Sequence, residues 1–440
     1  MNYKYLKSEL EELNKFTKES FEKLQLGKLQ DRLKYHVKNN LWYRNFLEKY
    51  ALNIKNIKSI GDLQQLPLLE KEHIIDNFPF SSVSEKEIRR FYQTSGTTGK
   101  PKLIAYNKHD IDRSAQLKAR GLIFGGVKEG DKGIAIMAYG PWASGLMSQQ
   151  AGEYIGLTIA GDAKLDTNWH IWAIFSQYHP KYIISQPSFL VRLEEIAKEQ
   201  GIDISTSPME RLFVCGDMSN NLFKKEFEKR YNAKIIDLYC CTEFGCISAE
   251  CIAGNLHYWA DELIVEIINP KTKKLTVPGE IGEVVVTGLY KEATPLIRYN
   301  THDLSFLVEE CECDCKLPAI SPILGRGDDM LSIAGANLYP RQIEDMLSKI
   351  SGLSGRYQLI ITKEKFKDKI TMKVELEKEI EKNMEKYLKK SIFENISSIA
   401  PELNYVINQS KTAHQPNVEL LKFGALSSQG KIKRVIDKRR

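Results

Sequence analysis

Residues 92–102 read YQTSGTTGKPK, and this short run governs how the rest of the chain is read. Small residues let backbone N–H groups converge on an anion, while Thr94, Ser95, Thr97 and Thr98 add hydroxyls and Lys100 and Lys102 add positive charge. Gly96 and Gly99 give the loop its freedom, so the run suits the phosphates of a nucleotide such as ATP. A P-loop would need Gly-Lys followed by Ser or Thr at the start of a helix. Here Pro101 follows Lys100, and the chain continues as KLIAYN, a strand pattern. The expected structure is a strand-to-strand phosphate grip. A plain surface turn is the competing reading of any Ser/Thr/Gly-rich stretch.

Outward from this loop the pattern is that of an α/β protein. Residues 1–78 look helical, with Trp42 and Tyr43 as core residues. From the loop to about residue 240, apolar runs such as KGIAIMAYG, KYIISQ and RLFVCG alternate with helical stretches such as SFLVRLEEIAKEQG. That alternation predicts a sheet with helices on its faces. LIVEII and GEVVVTGL, separated by NPKTKKLTVPGE, predict a β-rich subdomain. Beyond GRGDDM a helix (YPRQIEDMLSKI), two strands (YQLIITKE, KITMKVEL) and a long amphipathic helix (EIEKNMEKYLKKSIFENI) predict a small α+β domain. The expectation is a large N-terminal α/β domain over 1–327 and a small C-terminal domain over 328–440, with the boundary near Asp328.

Composition narrows the function without naming it. A chain of 440 residues exceeds one ordinary core, and 42% hydrophobic with 27% charged residues is ordinary for a soluble globular protein. A net charge of +6 is small for this length, and the lysine runs KNIK, KFKDK and KIKR lack aromatic interleaving, so no nucleic-acid partner is expected. The N-terminal MNYKYLKSELEELNKFTKESFEKL is charged and amphipathic, and no run approaches a membrane span; a cytoplasmic protein is expected. In a reducing compartment the eight cysteines read as metal ligands or buried thiols, not as disulfides.

Four further segments carry a resemblance: DLYCCTE (237–243), TPLIRYNTHD (294–303), GRGDDMLSIAGANLYPRQIE (325–344) and SSQGKIKRVIDKR (427–439). With YQTSGTTGKPK they resemble, in order and approximate spacing, the core motifs of the adenylate-forming superfamily of acyl-CoA synthetases, adenylation domains and luciferases. The branch most similar is that of the phenylacetate-CoA ligases. The resemblance implies ATP- and Mg²⁺-dependent conversion of a small, aromatic carboxylic acid into an acyl adenylate with release of pyrophosphate, then transfer to coenzyme A. It also implies roles. Ser95, Gly96, Thr97, Thr98, Gly99 and Lys100 would hold phosphates. Glu243 would hold Mg²⁺, with Thr242 on the phosphate and Tyr239 stacked on adenine. Gly216 and Asp217 would lie near the adenine, Asp303 would grip the ribose hydroxyls and Arg326 would meet ribose and phosphate. Lys431, on the C-terminal domain, would bridge the α-phosphate and the attacking carboxylate, and rotation about Asp328 would withdraw it before thioester formation. A terminal basic tail is the alternative reading of KIKRVIDKRR.

Two positions depart from the pattern: Cys240 and His302 stand where the relatives carry glycine. Either side chain would enter space that glycine leaves open; Cys240 would narrow the acyl pocket or contact the nucleotide, and His302 reads as a satisfied surface or core histidine pointing away from catalysis. MAYGPWASGLM offers Tyr139, Gly140 and Trp142 as acyl-pocket walls, with core packing as the alternative for Trp142. Some relatives carry a Cys/His plus Cys-x-Cys set that resembles Cys251, His257, Cys311 and Cys313, with Cys315 as substitute; it would be a structural zinc site, and free thiols are the alternative. Cys215, Cys241 and Cys246 read as small apolar core residues. Three functions follow: a CoA ligase, an adenylating enzyme serving a separate carrier protein or a small amine or hydroxyl, and a binding protein that has lost activity. Retention of Glu243, Asp303, Arg326 and Lys431 argues against the last. Relatives are often dimers, so a homodimer is a further expectation.

Overall fold

The computed structural model describes residues 2–94, 101–162, 167–216, 221–327, 331–334, 336–338, 340–364, 367–377, 382–399, 401–409, 413–426 and 434–439. The chain forms two compact units, Met1–Ser219 with Phe223–Ile323, and Asn220–Leu222 with Leu324–Arg440.

The first unit opens with helices α1 (Asn2–Leu13), α2 (Lys18–Asn39), α3 (Leu41–Lys49) and α4 (Lys71–Ile75). Tyr43 is buried, and Trp42 stacks on Phe46 with ring centroids 4.8 Å apart. Strands β1 (Arg90–Gln93) and β2 (Leu103–Tyr106) then pair antiparallel, from Arg90 opposite Tyr106 to Gln93 opposite Leu103. The Ser/Thr/Gly run is therefore flanked by two hydrogen-bonded strands, and no helix follows it directly.

A nine-stranded sheet forms the centre. Strands β3 (Gly133–Met137), β4 (Thr158–Asp162), β5 (Tyr182–Ser185), β6 (Arg211–Val214) and β7 (Lys234–Cys241) run parallel in the order β4-β3-β5-β6-β7. The sheet continues antiparallel through β8 (Gly245–Glu250), β9 (Leu256–Tyr258), β14 (Ala319–Ile320) and β13 (Leu307–Val308). Strand side chains alternate between faces, and both faces are apolar, as a covered parallel sheet requires. Ile134, Ile136, Ile183, Leu212 and Val214 join α7 (Thr167–Phe175), α8 (Pro187–Glu199) and α9 (Asn221–Tyr231) in one core. Ala135, Met137, Ile184, Phe213 and Leu238 join α5 (Lys108–Phe124) and α6 (Ala143–Ile155) in the other.

The β-rich stretch forms β10 (Leu263–Ile268), β11 (Gly282–Gly288) and β12 (Tyr299–Ser305), an antiparallel meander with a bulge between Glu283 and Val285. Arg298, just before β12, is buried with its guanidinium on Glu266 at 2.9 and 3.0 Å.

The second unit holds β15 (Gly325–Arg326), a hairpin of β16 (Leu331–Ile333) and β17 (Ala336–Leu338), α10 (Pro340–Leu347), β18 (Leu353–Glu364), β19 (Lys367–Leu376), α11 (Lys382–Ile399), α12 (Pro401–Asn404), β20 (Asn417–Leu421) and β21 (Val435–Asp437). Strands β18 and β19 are the expected antiparallel pair. Outside them β20 and β21 add parallel edges in the order β20-β19-β18-β21, which short runs near the end of a sequence do not reveal. Ile343, Leu347, Leu359, Ile361, Met372, Leu388 and Ile392 make this unit's own core. Among the described residues no helix is long and apolar enough to cross a membrane.

Candidate active site

Strands β7 and β8 are joined by a tight turn over residues 242–244, and this turn carries Glu243. Tyrosines hold its backbone. The Tyr106 hydroxyl lies 2.9 Å from the Thr242 carbonyl and 3.0 Å from that of Glu243, and Tyr290 donates to the Phe244 carbonyl at 2.8 Å. Gly245 closes the turn at φ +67°, where a Cβ would stand 3.2 Å from Ser114 Cβ. The Glu243 carboxylate, 6% exposed, is hydrogen-bonded to the Lys102 ammonium, which also reaches the Tyr299 hydroxyl. Burial alone would raise its pKa, but Lys102 and the hydrogen bonds hold it below the usual glutamate value, so the carboxylate stays ionised. Lys102, read from the sequence as part of the phosphate loop's charge, is thus buried against a carboxylate.

Tyr239 lies four residues before Glu243 on β7. Its hydroxyl donates to Asp303 Oδ2 at 2.6 Å and sits 3.4 Å from Thr301 Oγ1. Thr301 itself donates to the Val284 carbonyl at 2.8 Å and accepts from the Asp303 backbone N–H at 3.1 Å. Strands β7 and β12, far apart in sequence, are thereby tied at the two residues expected to meet the nucleoside. Burial, then the Asp303 charge, push the Tyr239 phenol well above its ordinary value.

His302 has φ +60°, a left-handed conformation that glycine adopts more easily than other residues. The departure from glycine at this position is therefore a matter of backbone conformation. Its ring points to carboxylates: Nε2 lies 2.9 Å from Glu70 and Nδ1 lies 2.9 Å from Glu283. Desolvation lowers the imidazole pKa, but the two glutamates outweigh it and raise it to about 9.

At the acyl segment, Tyr139 donates to Gln149 Oε1 at 3.1 Å. Gly145 permits this packing, since a Cβ there would come within 2.7 Å of the Ala138 carbonyl and 2.9 Å of the Tyr139 ring. Gly140 is exposed at φ +105°, Trp142 is half-buried at the N-cap of α6, and Cys240 is half-buried next to Tyr239. Gly216 follows β6 at φ +81°. Arg326 ends β15 with an exposed position in the second unit. Ser95, Gly96, Thr97, Thr98, Gly99, Lys100, Asp217, Asp328 and Lys431 lie outside the described residues.

A second cluster sits on the antiparallel side of the sheet. One ligand atom each from Cys251, His257, Cys311 and Cys313 falls within 4.8 Å of the others. Cys251 Sγ is 3.6 Å from Cys311 Sγ, and Cys313 Sγ is 3.2 Å from His257 Nε2. His257 Nδ1 is 2.6 Å from the Leu317 carbonyl, so it donates there and leaves Nε2 facing the thiols, the orientation expected of a metal-ligating histidine. Desolvation would raise the Cys251 thiol, but His257 and backbone N–H groups bring it down to about 6. Cys315 packs partly against the main core. Cys215 and Cys246 are buried as expected and Cys241 is half-buried, but Cys215 is no simple core residue, because the Lys118 ammonium lies 3.6 Å from its sulfur.

The sequence reading missed Tyr106, Tyr299 and Lys118. Tyr299 was within sight, being in TPLIRYNTHD, but tyrosine in a strand reads as core. Tyr106 and Lys118 carry no local signal.

A family model described as "AMP-binding enzyme" matches residues 26–290, and one described as "AMP-binding enzyme C-terminal domain" matches residues 335–439. The chain is 30% identical over 365 residues to the phenylacetate-coenzyme A ligase of Thermus thermophilus, covering 81% of this chain and 82% of that one. It is 30% identical over 352 residues to the phenylacetate-coenzyme A ligase of Escherichia coli, covering 78% and 80%. A solved structure of 2-hydroxyisobutyryl-CoA ligase in the postadenylation state superposes with a TM-score of 0.83 at 23% identity, over 94% of this chain and 89% of the other.

Proposed function

This chain belongs to the AMP-binding enzyme family, as an AMP-forming acid–thiol ligase of the phenylacetate-CoA ligase branch, and from that premise we propose that it adenylates a small, aromatic carboxylic acid with ATP and passes the acyl group to coenzyme A. The observation that carries this reading is the buried, ionised Glu243 on a turn pinned by tyrosines, next to the Tyr239–Asp303 pair. Tyr239 and Asp303 would receive adenine and ribose, Thr242 and the 95–100 loop would meet phosphates, and Arg326 and Lys431 would stabilise charge on the transferring phosphoryl group. Mg²⁺ bound at Glu243 would neutralise phosphate charge; the hard carboxylate oxygens there suit it. Lys102 balances the same carboxylate when no such ion is bound. Tyr139, Gly140, Trp142 and Cys240 would wall the acyl site, and the aromatic preference rests on these side chains and on the relatives' named substrate. Rotation at Asp328 would separate the two half-reactions, making 1–327 and 328–440 the working domains.

Pyrophosphate release across a panel of aromatic and aliphatic acids, with and without CoA, tests this. One acid class whose turnover requires CoA is the expected result. A single equivalent of pyrophosphate despite CoA would move the acceptor to a carrier-protein thiol or a small amine or hydroxyl.

The Cys251, His257, Cys311 and Cys313 cluster is assigned a structural zinc, for which two or more thiolates and an oriented imidazole are suited. One equivalent of zinc in protein purified without chelator, lost in Cys313→Ser, is expected; metal-free native protein would remove the assignment. Thiolate ligands fit a cytoplasmic location, and a homodimer is the assembly expected of the branch.

A further inference from the structure

Among the described residues the buried lysine and arginine side chains are Lys102, Lys118, Arg120, Lys224, Lys291 and Arg298. Five have a carboxylate partner: Glu243, Asp261, Glu250, Asp110 and Glu266 respectively for Lys102, Arg120, Lys224, Lys291 and Arg298. Lys118 has none. Its side chain is 3% exposed, and Nζ donates to Ser148 Oγ at 2.6 Å and approaches Cys215 Sγ at 3.6 Å. Ser148 donates its own proton to the Ser144 carbonyl at 2.6 Å, so its oxygen can serve the ammonium only as a neutral acceptor.

The groups around it are thiols: burial lowers the pKa of the Lys118 ammonium, and Cys215, Cys240 and Cys246 outweigh that and raise it, so the group is charged in company that includes no carboxylate among the described residues. Cys215 follows β6, and Cys240 near the end of β7 pairs across to Cys246 on β8. Interaction with Cys240, then burial, push the Cys215 thiol well above its ordinary value. Contact with Cys215 works the other way on Cys240, but Cys246 and burial prevail and raise it too. Thiols and one hydroxyl are weaker company for a buried ammonium than the carboxylates that meet the other five cations.

The location says what would complete it. Cys215 and Cys240 stand at the carboxyl ends of adjacent parallel strands, the side of an open α/β sheet where ligands enter. Gly216, Tyr239 and Glu243 lie at the same ends, and Ser148 is on the helix that follows Tyr139–Trp142.

We propose that Lys118 is the specificity residue of the acyl site, and that the acid this enzyme takes carries a second anionic group, a distal carboxylate, that pairs with the Lys118 ammonium. This rests on the acid-activating reading above and names its substrate class. The ammonium rewards a second carboxylate and penalises an apolar acyl end, which would leave it unpaired.

The test compares kcat/KM for pyrophosphate release on phenylacetate against its meta- and para-carboxy derivatives, and on hexanoate against adipate, in wild type, Lys118→Met and Cys215→Asp. Wild type should prefer a dicarboxylate by about 100-fold, the size of effect expected when a buried charge gains its partner. Lys118→Met should reverse that preference with an unchanged or higher Tm, and Cys215→Asp, which supplies an internal counter-ion, should abolish it even if Lys118→Met does not fold. A wild-type preference for the monoacids, or a preference unmoved by either variant, overturns the proposal. If no acid releases pyrophosphate, the acid-activating reading fails, but calorimetric binding of the same acids still decides: charge-selective binding lost in Cys215→Asp supports the Lys118 site, and its absence overturns it.

Discussion

His302 and Lys118 are both positively charged groups inside the first unit, in opposite electrostatic company. His302 is clasped by Glu70 and Glu283, each at 2.9 Å, whereas Lys118 faces a hydroxyl at 2.6 Å and a thiol sulfur at 3.6 Å. The first cation is satisfied by the fold, tying β11 and β12 to the segment before α4. The second has no carboxylate partner among the described residues, and the proposed substrate group would supply one. Lys102 lies between these extremes: it is paired, but with the carboxylate proposed to bind metal. What distinguishes a structural charge from a functional one here is the number of protein carboxylates around it; Lys102 and Lys118 are both buried, and His302 is half-buried.

The largest effect expected along this comparison is catalytic. Glu243→Gln should keep the fold, because Lys102 retains a hydrogen-bond acceptor, and should lower the rate of pyrophosphate release on the order of 100- to 1,000-fold; a variant with wild-type turnover would place Glu243 with the structural charges. Next comes His302→Asn. Asn tolerates the positive φ but cannot carry charge, so two glutamates lose their cation and urea unfolding should show a loss of about 3 kcal/mol. Little change would mean that the clasp is not structural.

The same clasp predicts a pH dependence. The imidazole is raised from 6.5 to about 9, so its contribution is full below about pH 6.5 and is lost as pH rises through about 9. Glu283 feels desolvation upward but is held down to about 2 by His302 and Asn300, so its contribution is present above about pH 4.5 and is lost only as pH falls toward 2. Wild type should therefore lose about 2 kcal/mol between neutral pH and pH 9.5 that His302→Asn does not lose, as read by unfolding at several pH values. The smallest effect is the opposite in sign: Lys118→Met should raise stability by about 1 kcal/mol, because removing an unpaired buried charge removes its desolvation cost. A clear loss would make Lys118 a structural residue.

Much of the fold was legible beforehand. Runs such as KGIAIMAYG and RLFVCG are short, apolar and bounded by turns, and they became β3 and β6. YQLIITKE and KITMKVEL became β18 and β19, and the long amphipathic run became α11. Strands β20 and β21 were not legible, because an edge strand of three to five residues is held by its neighbour's hydrogen bonds more than by its own pattern. Of the candidate site, Tyr239, Glu243 and Asp303 were legible as motif residues, whereas the tyrosines that hold the turn were not. A tyrosine on a strand looks the same whether its hydroxyl meets water or a carbonyl.

By itself the sequence determined the kind of protein: the order of elements, the motif residues and the set of cysteines and histidine that could bind metal, all carried by local periodicity or by short runs. The tertiary structure alone decided which charges are paired. Lys102 meets a glutamate 141 residues away and a tyrosine 197 residues away, Tyr239 meets an aspartate 64 residues away, and Lys118 meets no carboxylate among the described residues. A charge's energy depends on its distance to other charges and to water, and neither distance exists until the chain has folded.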